Sequence, residues 1–146
     1  MGELIKILDA KLFLEKYEIN DNVITFYVKS NTTKVFCPYC NTGSEKVHSQ
    51  YVRKFQDLAI QGKKTIIILY NRKMFCKNPE CKYTTFAERF DFLQYKAKKT
   101  ERLKDEIIRV SLNQSSVSAS KYLRKSVAEV KKSTICNYLK KMYNNK

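Results

Sequence analysis

The chain has 146 residues, five cysteines, and 29 lysines and arginines against 14 acids, for a net charge of +15. One core at this length buries roughly 70% of the unfolded surface, so folding needs no disulfides. No run of about 18 apolar residues is present to cross a membrane. The opening MGELIKILDAKLFLEKYEI lacks the basic end, apolar core and cleavage site of a leader, so the chain reads as soluble and cytoplasmic.

The basic excess is uneven. Residues 1–36 hold five lysines against five acids, residues 37–90 ten basic against four acidic, and residues 91–146 fourteen against five. A charge of this size strains a compact chain by self-repulsion, and a polyanionic partner is the usual reason it persists. An anionic membrane surface and plain solvation are the alternatives.

In chain order, LFLEKYEI at 12–19 and the alternating run Ile24, Phe26, Val28 flank a turn signal at 19–22, which predicts a β-hairpin. VHSQYVRKFQDLAI follows, then a Gln61-Gly62 turn, then KKTIIILYNRKMF with its β-branched run Thr65 to Ile68. From about Thr100 the period changes. Leu103, Ile107 and Val110 lie on one helical face, the polar NQSSVSAS interrupts it, and SVSASKYLRKS follows with a serine cap and Tyr122 and Leu123 as core anchors. The last helix is expected in KKSTICNYLKKMY, with Ser133 or Thr134 as cap and Ile135, Leu139 and Met142 at helical spacing. The fold class is α+β. A hairpin segment (1–36) and a zinc-ribbon-like β region (37–92) precede a three-helix, helix-turn-helix-like region (93–146).

Cys37 and Cys40 form a C-x2-C pair just after Phe36, and Cys76 and Cys81 a C-x4-C pair just after Phe75. In a reducing compartment such pairs point to metal before disulfides. Two knuckles supply four thiolates, the tetrahedral set that structural zinc favours at about 2.3 Å per Zn–S contact. Disulfides and an iron–sulfur or redox site are the competing readings. A shell of four thiolates leaves no open position for water activation, so the expected single Zn2+ is structural and the chain is expected not to be an enzyme. Cys136 reads as a small buried apolar residue. His48, the one histidine, reads as a hydrogen-bonded structural or phosphate-facing residue.

Two sets of candidate DNA contacts follow. Arg53, Lys54, Arg72 and Lys73 sit beside aromatic and aliphatic residues, and antiparallel pairing across the Gln61-Gly62 turn is expected to line them on one surface. In the last helix, Lys131, Lys132, Ser133, Thr134 and Asn137 are placed to reach bases if it enters a major groove, with Lys140 and Lys141 nearer the phosphates.

The run from Cys37 to Phe90 resembles the zinc-binding region of the ISL-three group of bacterial insertion-sequence transposases. The resemblance lies in the first knuckle, in His48 and Tyr51 ahead of Arg53, in Asp57-Leu58, in the aromatic residue before Cys76 and in Thr85-Phe86-Ala87-Glu88-Arg89. It implies that Cys37, Cys40, Cys76 and Cys81 hold zinc, that Ser118 to Leu123 belong to a helix-turn-helix, and that the module recognises the terminal inverted repeats of a mobile element. It also implies a bacterial protein at the nucleoid when bound, and a homodimer or larger assembly on paired ends. RKSVAEVKKST is longer than an ordinary helix-turn-helix turn. The 56 residues after Phe90 are too few for a ribonuclease-H-like catalytic core. Asp57, Glu88 and Asp91 read as capping or salt-linked residues. The expected function is zinc-dependent DNA binding by a transposase module or a stand-alone derivative. The alternative is a zinc-ribbon adaptor for RNA or an acidic protein.

Overall fold

The structure is a computed structural model and describes residues 1–144. A seven-residue helix α1 (Gly2–Leu8) leads into the hairpin β1 (Leu12–Asn20) and β2 (Val23–Ser30). The short strands β3 (Val35–Phe36) and β4 (Gly43–Ser44) are followed by the long hairpin β5 (Val47–Ile60) and β6 (Lys63–Phe75), then by β7 (Thr85–Ala87). Three helices close the chain: α2 (Glu101–Ser111), α3 (Ser116–Ser126) and α4 (Lys132–Asn144).

The main sheet has the order β1-β2-β6-β5, with β7 on the far end of β6. The β5–β6 turn has positive φ at both central residues, 50° at Gln61 and 75° at Gly62, the twist a tight hairpin requires. β2 lies parallel to β6, with Phe26 opposite Ile67 and Val28 opposite Leu69. The sequence division at residue 36/37 therefore falls between strands of one sheet. Alternation sends Ile24, Phe26, Val28, Phe55, Ile67 and Leu69 to one face, where Ile5, Phe90, Phe92 and Leu93 complete a core. Among the described residues no helix is long and apolar enough to cross a membrane.

The helices form a second core of Leu103, Ile107, Ala119, Leu123, Ala128, Val130 and Ile135. Each fully buried Leu or Ile there contributes about 1.5–3 kcal/mol. The Thr100 hydroxyl caps α2 by accepting from the Leu103 N–H at 3.3 Å, and Ser115 caps α3 by accepting from Ser118 N–H at 3.1 Å.

Two polar clamps fix this unit to the sheet. Buried Asp57 of β5 accepts from the Thr100 hydroxyl at 2.7 Å and from Arg102 Nε at 2.8 Å, with a second contact from Arg102 Nη2. The Gln56 side chain holds the α3–α4 connection from both sides: its Nε2 donates to the Glu129 carbonyl at 3.0 Å, and its Oε1 accepts from the Glu129 N–H at 2.7 Å.

Several expectations are corrected. The described residues contain four helices, not three. The extra one, α1, has two turns, too few for its period to be legible, and buries only Ile5. Ser133 and Thr134 do not cap α4, which begins at Lys132 and carries both in its first turn. The connection before it is short, because α3 runs on through Arg124, Lys125 and Ser126. Tyr122 is 57% exposed and is no core anchor; only its neighbour Leu123 is buried. Cys136 is exposed too, its thiol donating to the Ser116 hydroxyl at 3.4 Å. The inward face of α4 is set by Ile135, Tyr138 and Leu139, three and four residues apart, and Cys136 falls outside that stripe.

Candidate metal centre and the surfaces around it

The first knuckle hangs from the β3–β4 hairpin. Cys37 N–H donates to the Thr42 carbonyl at 3.0 Å and Asn41 N–H to the Cys37 carbonyl at 2.7 Å, a tight loop that turns through Asn41 at φ 60°. The second joins β6 to β7. There Cys76 N–H donates to the Thr84 carbonyl at 2.9 Å and Cys81 N–H to the Asn78 carbonyl at 3.1 Å, while the Asn78 side chain accepts from Glu80 N–H at 3.0 Å. Pairing of Met74 with Phe86 closes the second knuckle, and pairing of Val47 with Met74, with Phe75 N–H on the Lys46 carbonyl at 2.9 Å, brings the first beside it over a small core of Val35, Cys37, Met74 and Phe86.

The four sulfurs of Cys37, Cys40, Cys76 and Cys81 all lie within 4.8 Å of one another, and Cys40 Sγ is 3.5 Å from Cys76 Sγ. A tetrahedral zinc with about 2.3 Å bonds separates its sulfurs by roughly 3.8 Å, whereas a disulfide needs about 2.05 Å. The spacing fits a shared ion, and all five cysteines are free thiols.

The four thiols perturb one another's ionisation. Cys40 is lowered to about 6, chiefly by hydrogen bonds from the Thr42 side chain and backbone. Cys76 is pushed up to about 12: the Asn78 backbone N–H favours its thiolate but is outweighed by burial and by the thiols of Cys40, Cys37 and Cys81. Four thiolates crowd one another unless a cation sits between them. Zinc supplies that charge and a cross-link between two distant stretches of chain.

Residues 33–81 match the family model described as the zinc-finger of transposase IS204/IS1001/IS1096/IS1165. The match spans a third of the chain and both knuckles, and it agrees with the expected zinc assignment. No curated protein and no solved structure matches the chain. The cysteine cluster is therefore a zinc-ribbon site for one metal ion, with soft sulfur donors in the number and spacing that zinc takes.

The other predicted residues are dispersed. His48 lies outside the sulfur cluster and is exposed, its Nδ1 2.9 Å from the Ser49 hydroxyl and its ring edge-on to Phe75 at 4.9 Å. The basic residues of β5 and β6 do not line one surface. The strands pair antiparallel as expected, with Lys54 opposite Ile68 and Gln50 opposite Arg72, but neighbours along a strand point to opposite faces. Lys54 and Lys73 are exposed. Arg72 is held by the buried Glu88, with Nε to Oε1 at 3.1 Å and Nη2 to Oε2 at 2.9 Å, and it also donates to Thr32. This fork-to-fork pair stitches β6 to the segment that follows β7. Arg53 is half-buried, and its Nη2 donates to the Gln94 and Ala97 carbonyls at 3.1 and 3.3 Å.

On α4 the candidates share a side. Ser133, Asn137, Lys140 and Lys141 are exposed opposite Ile135, Lys131 and Lys132 are exposed at the start, and Thr134 is half-buried. Sequence reading missed Arg89 and the cluster Tyr95, Lys96 and Lys98, although the run QYKAKK announces an aromatic among cations.

Proposed function

We propose that the chain is the zinc-stabilised DNA-binding module of a transposase, or a stand-alone derivative of one, that occupies the terminal inverted repeats of a mobile element without cutting them. The observation that carries the reading is the four-sulfur centre within a stretch that matches a transposase zinc finger. The charge of +15 and the exposed polar stripe of α4 support duplex DNA as the partner.

In this reading the unit of residues 93–146 works as a helix-turn-helix. The connection from Val127 to Lys131 is short enough for a turn, and buried Ala128 and Val130 pin it to the helical core. The start of α4 then enters the major groove, where Lys132, Ser133 and Asn137 read base edges and Lys131, Lys140 and Lys141 meet phosphates. Zinc does no chemistry on the DNA; it holds the knuckles, and Asp57 and Gln56 hold the helices at a set orientation to the sheet. Two copies on paired ends complete the proposal.

A duplex carrying the element's inverted repeat, titrated against random duplex and RNA in rising salt, tests it. A preference for the repeat that survives physiological salt is expected, and Lys132→Ala or Asn137→Ala is expected to weaken it by about 1–3 kcal/mol. Equal affinity for every polyanion would instead support an adaptor for RNA or an acidic protein.

A further inference from the structure

The β5 edge of the sheet borders a second, differently built surface. Between Tyr51 and Arg53 of this strand and the chain running from Ala87 to Lys98 lies an open groove of about 1050 Å³. Tyr51, Arg53, Arg89, Tyr95, Lys96 and Lys98 line it, and α4 contributes nothing to it. Four cations therefore face two acids, Glu88 and Asp91, and the Glu88 carboxylate is already spent on Arg72.

The backbone that carries Tyr95 is held in place. Residues 94–97 make a tight turn, with Ala97 N–H on the Gln94 carbonyl at 3.0 Å and Lys96 at φ 60°, so Tyr95 and Lys96 project from its corner. The Arg53 guanidinium grips both carbonyls of that turn. Tyr95 is nevertheless 73% exposed, the highest value among the exposed aromatic residues described. The Tyr51 hydroxyl accepts from buried Asn71 at 3.2 Å, which orients that ring. Backbone clamped around an exposed ring makes a platform, not a core.

The platform continues to the metal. Arg89 donates to the Tyr39 hydroxyl at 3.1 Å and lies over its ring at 5.2 Å. Tyr39, between Cys37 and Cys40, stacks on Tyr83 with centroids 3.9 Å apart. Flat rings and cations thus alternate from the zinc knuckles to the 94–97 turn. Double-stranded DNA hides its base faces, so a row of exposed rings has nothing to stack on there. An unpaired strand offers both base faces and phosphates.

We propose that this groove binds single-stranded DNA, with Tyr95 and Tyr51 stacking on bases and Arg89, Lys96 and Lys98 meeting phosphates. The site is separate from the helical surface assigned to duplex, so either can fail without the other.

Fluorescence anisotropy with labelled oligothymidylate, on the zinc-loaded full chain, tests it. Tyr95→Ala is expected to weaken binding roughly 5- to 150-fold, the range that loss of one stacked base spans. Lys96→Ala with Lys98→Ala is expected to flatten the salt dependence. Lys132→Ala with Asn137→Ala should leave oligothymidylate affinity unchanged while weakening duplex binding. Tyr95 is too exposed for its loss to unfold the chain, and retained zinc content and circular dichroism verify this. Unchanged oligothymidylate affinity in the groove variants, or its loss in the α4 variant alone, would overturn the proposal.

Discussion

The zinc knuckles and the helical unit are attached to the same sheet but are held together by different means. The knuckles have a core of only Val35, Cys37, Met74 and Phe86, strands of two and three residues, and partners nearly forty residues apart in the chain. The helices bury seven residues against one another within a single continuous stretch, cap their own ends, and add Asp57 and Gln56 as anchors. A region with so little apolar surface to bury cannot offset the entropy of ordering its loops, and a metal makes up the difference. The helical unit has enough of its own.

Removing the metal gives the largest contrast. Cys76→Ser, or stripping zinc with a chelator, removes a contribution on the order of 10 kcal/mol in small zinc modules. Hydrogen exchange is expected to lose protection around residues 35–46 and 76–87 while α2 to α4 keep theirs and the helical circular dichroism persists. Elemental analysis should show the metal gone. If the helices melted with the knuckles, the two regions would be one cooperative unit and the contrast would not stand.

Ile135→Ala is the reciprocal experiment. It opens a cavity where α4 meets α2 and α3 and is expected to cost about 2–5 kcal/mol by denaturant unfolding, with zinc still bound in the mutant. Zinc loss in this variant would show that the helices support the knuckles. The smallest effect belongs to Gln56→Ala, which removes the two hydrogen bonds to Glu129 for about 1 kcal/mol each and frees the α3–α4 connection without touching either core. Amide exchange at Glu129 and Val130 should quicken while exchange at Leu103 and Ile107 stays slow.

Much of this architecture is legible in the residues. Alternation at Ile24, Phe26 and Val28 and the Gln61-Gly62 turn mark the two hairpins, because pleat and positive φ act within a few residues. The C-x2-C and C-x4-C spacings mark the metal site for a similar reason: a knuckle is a local loop. Tyr122 and Leu123 show the limit. Both are apolar in composition and adjacent on α3, and only packing against Ile107 and Ile135 decided which one turns inward. Arg72 and Lys73 show it again, as one is bound to Glu88 and the other is left in water.

The sequence alone determined the two long hairpins, the helical periods after Thr100, the ligand set and the sign of the charge, since each depends on residue type and short spacing. Tertiary structure decided that β2 lies parallel to β6 across a long gap, that Arg53 and Arg72 are structural clamps, and that Tyr51 and Tyr95 share a groove. These follow from contacts between residues tens of positions apart, whose pairing depends on how whole faces bury one another, and no short window of sequence encodes that.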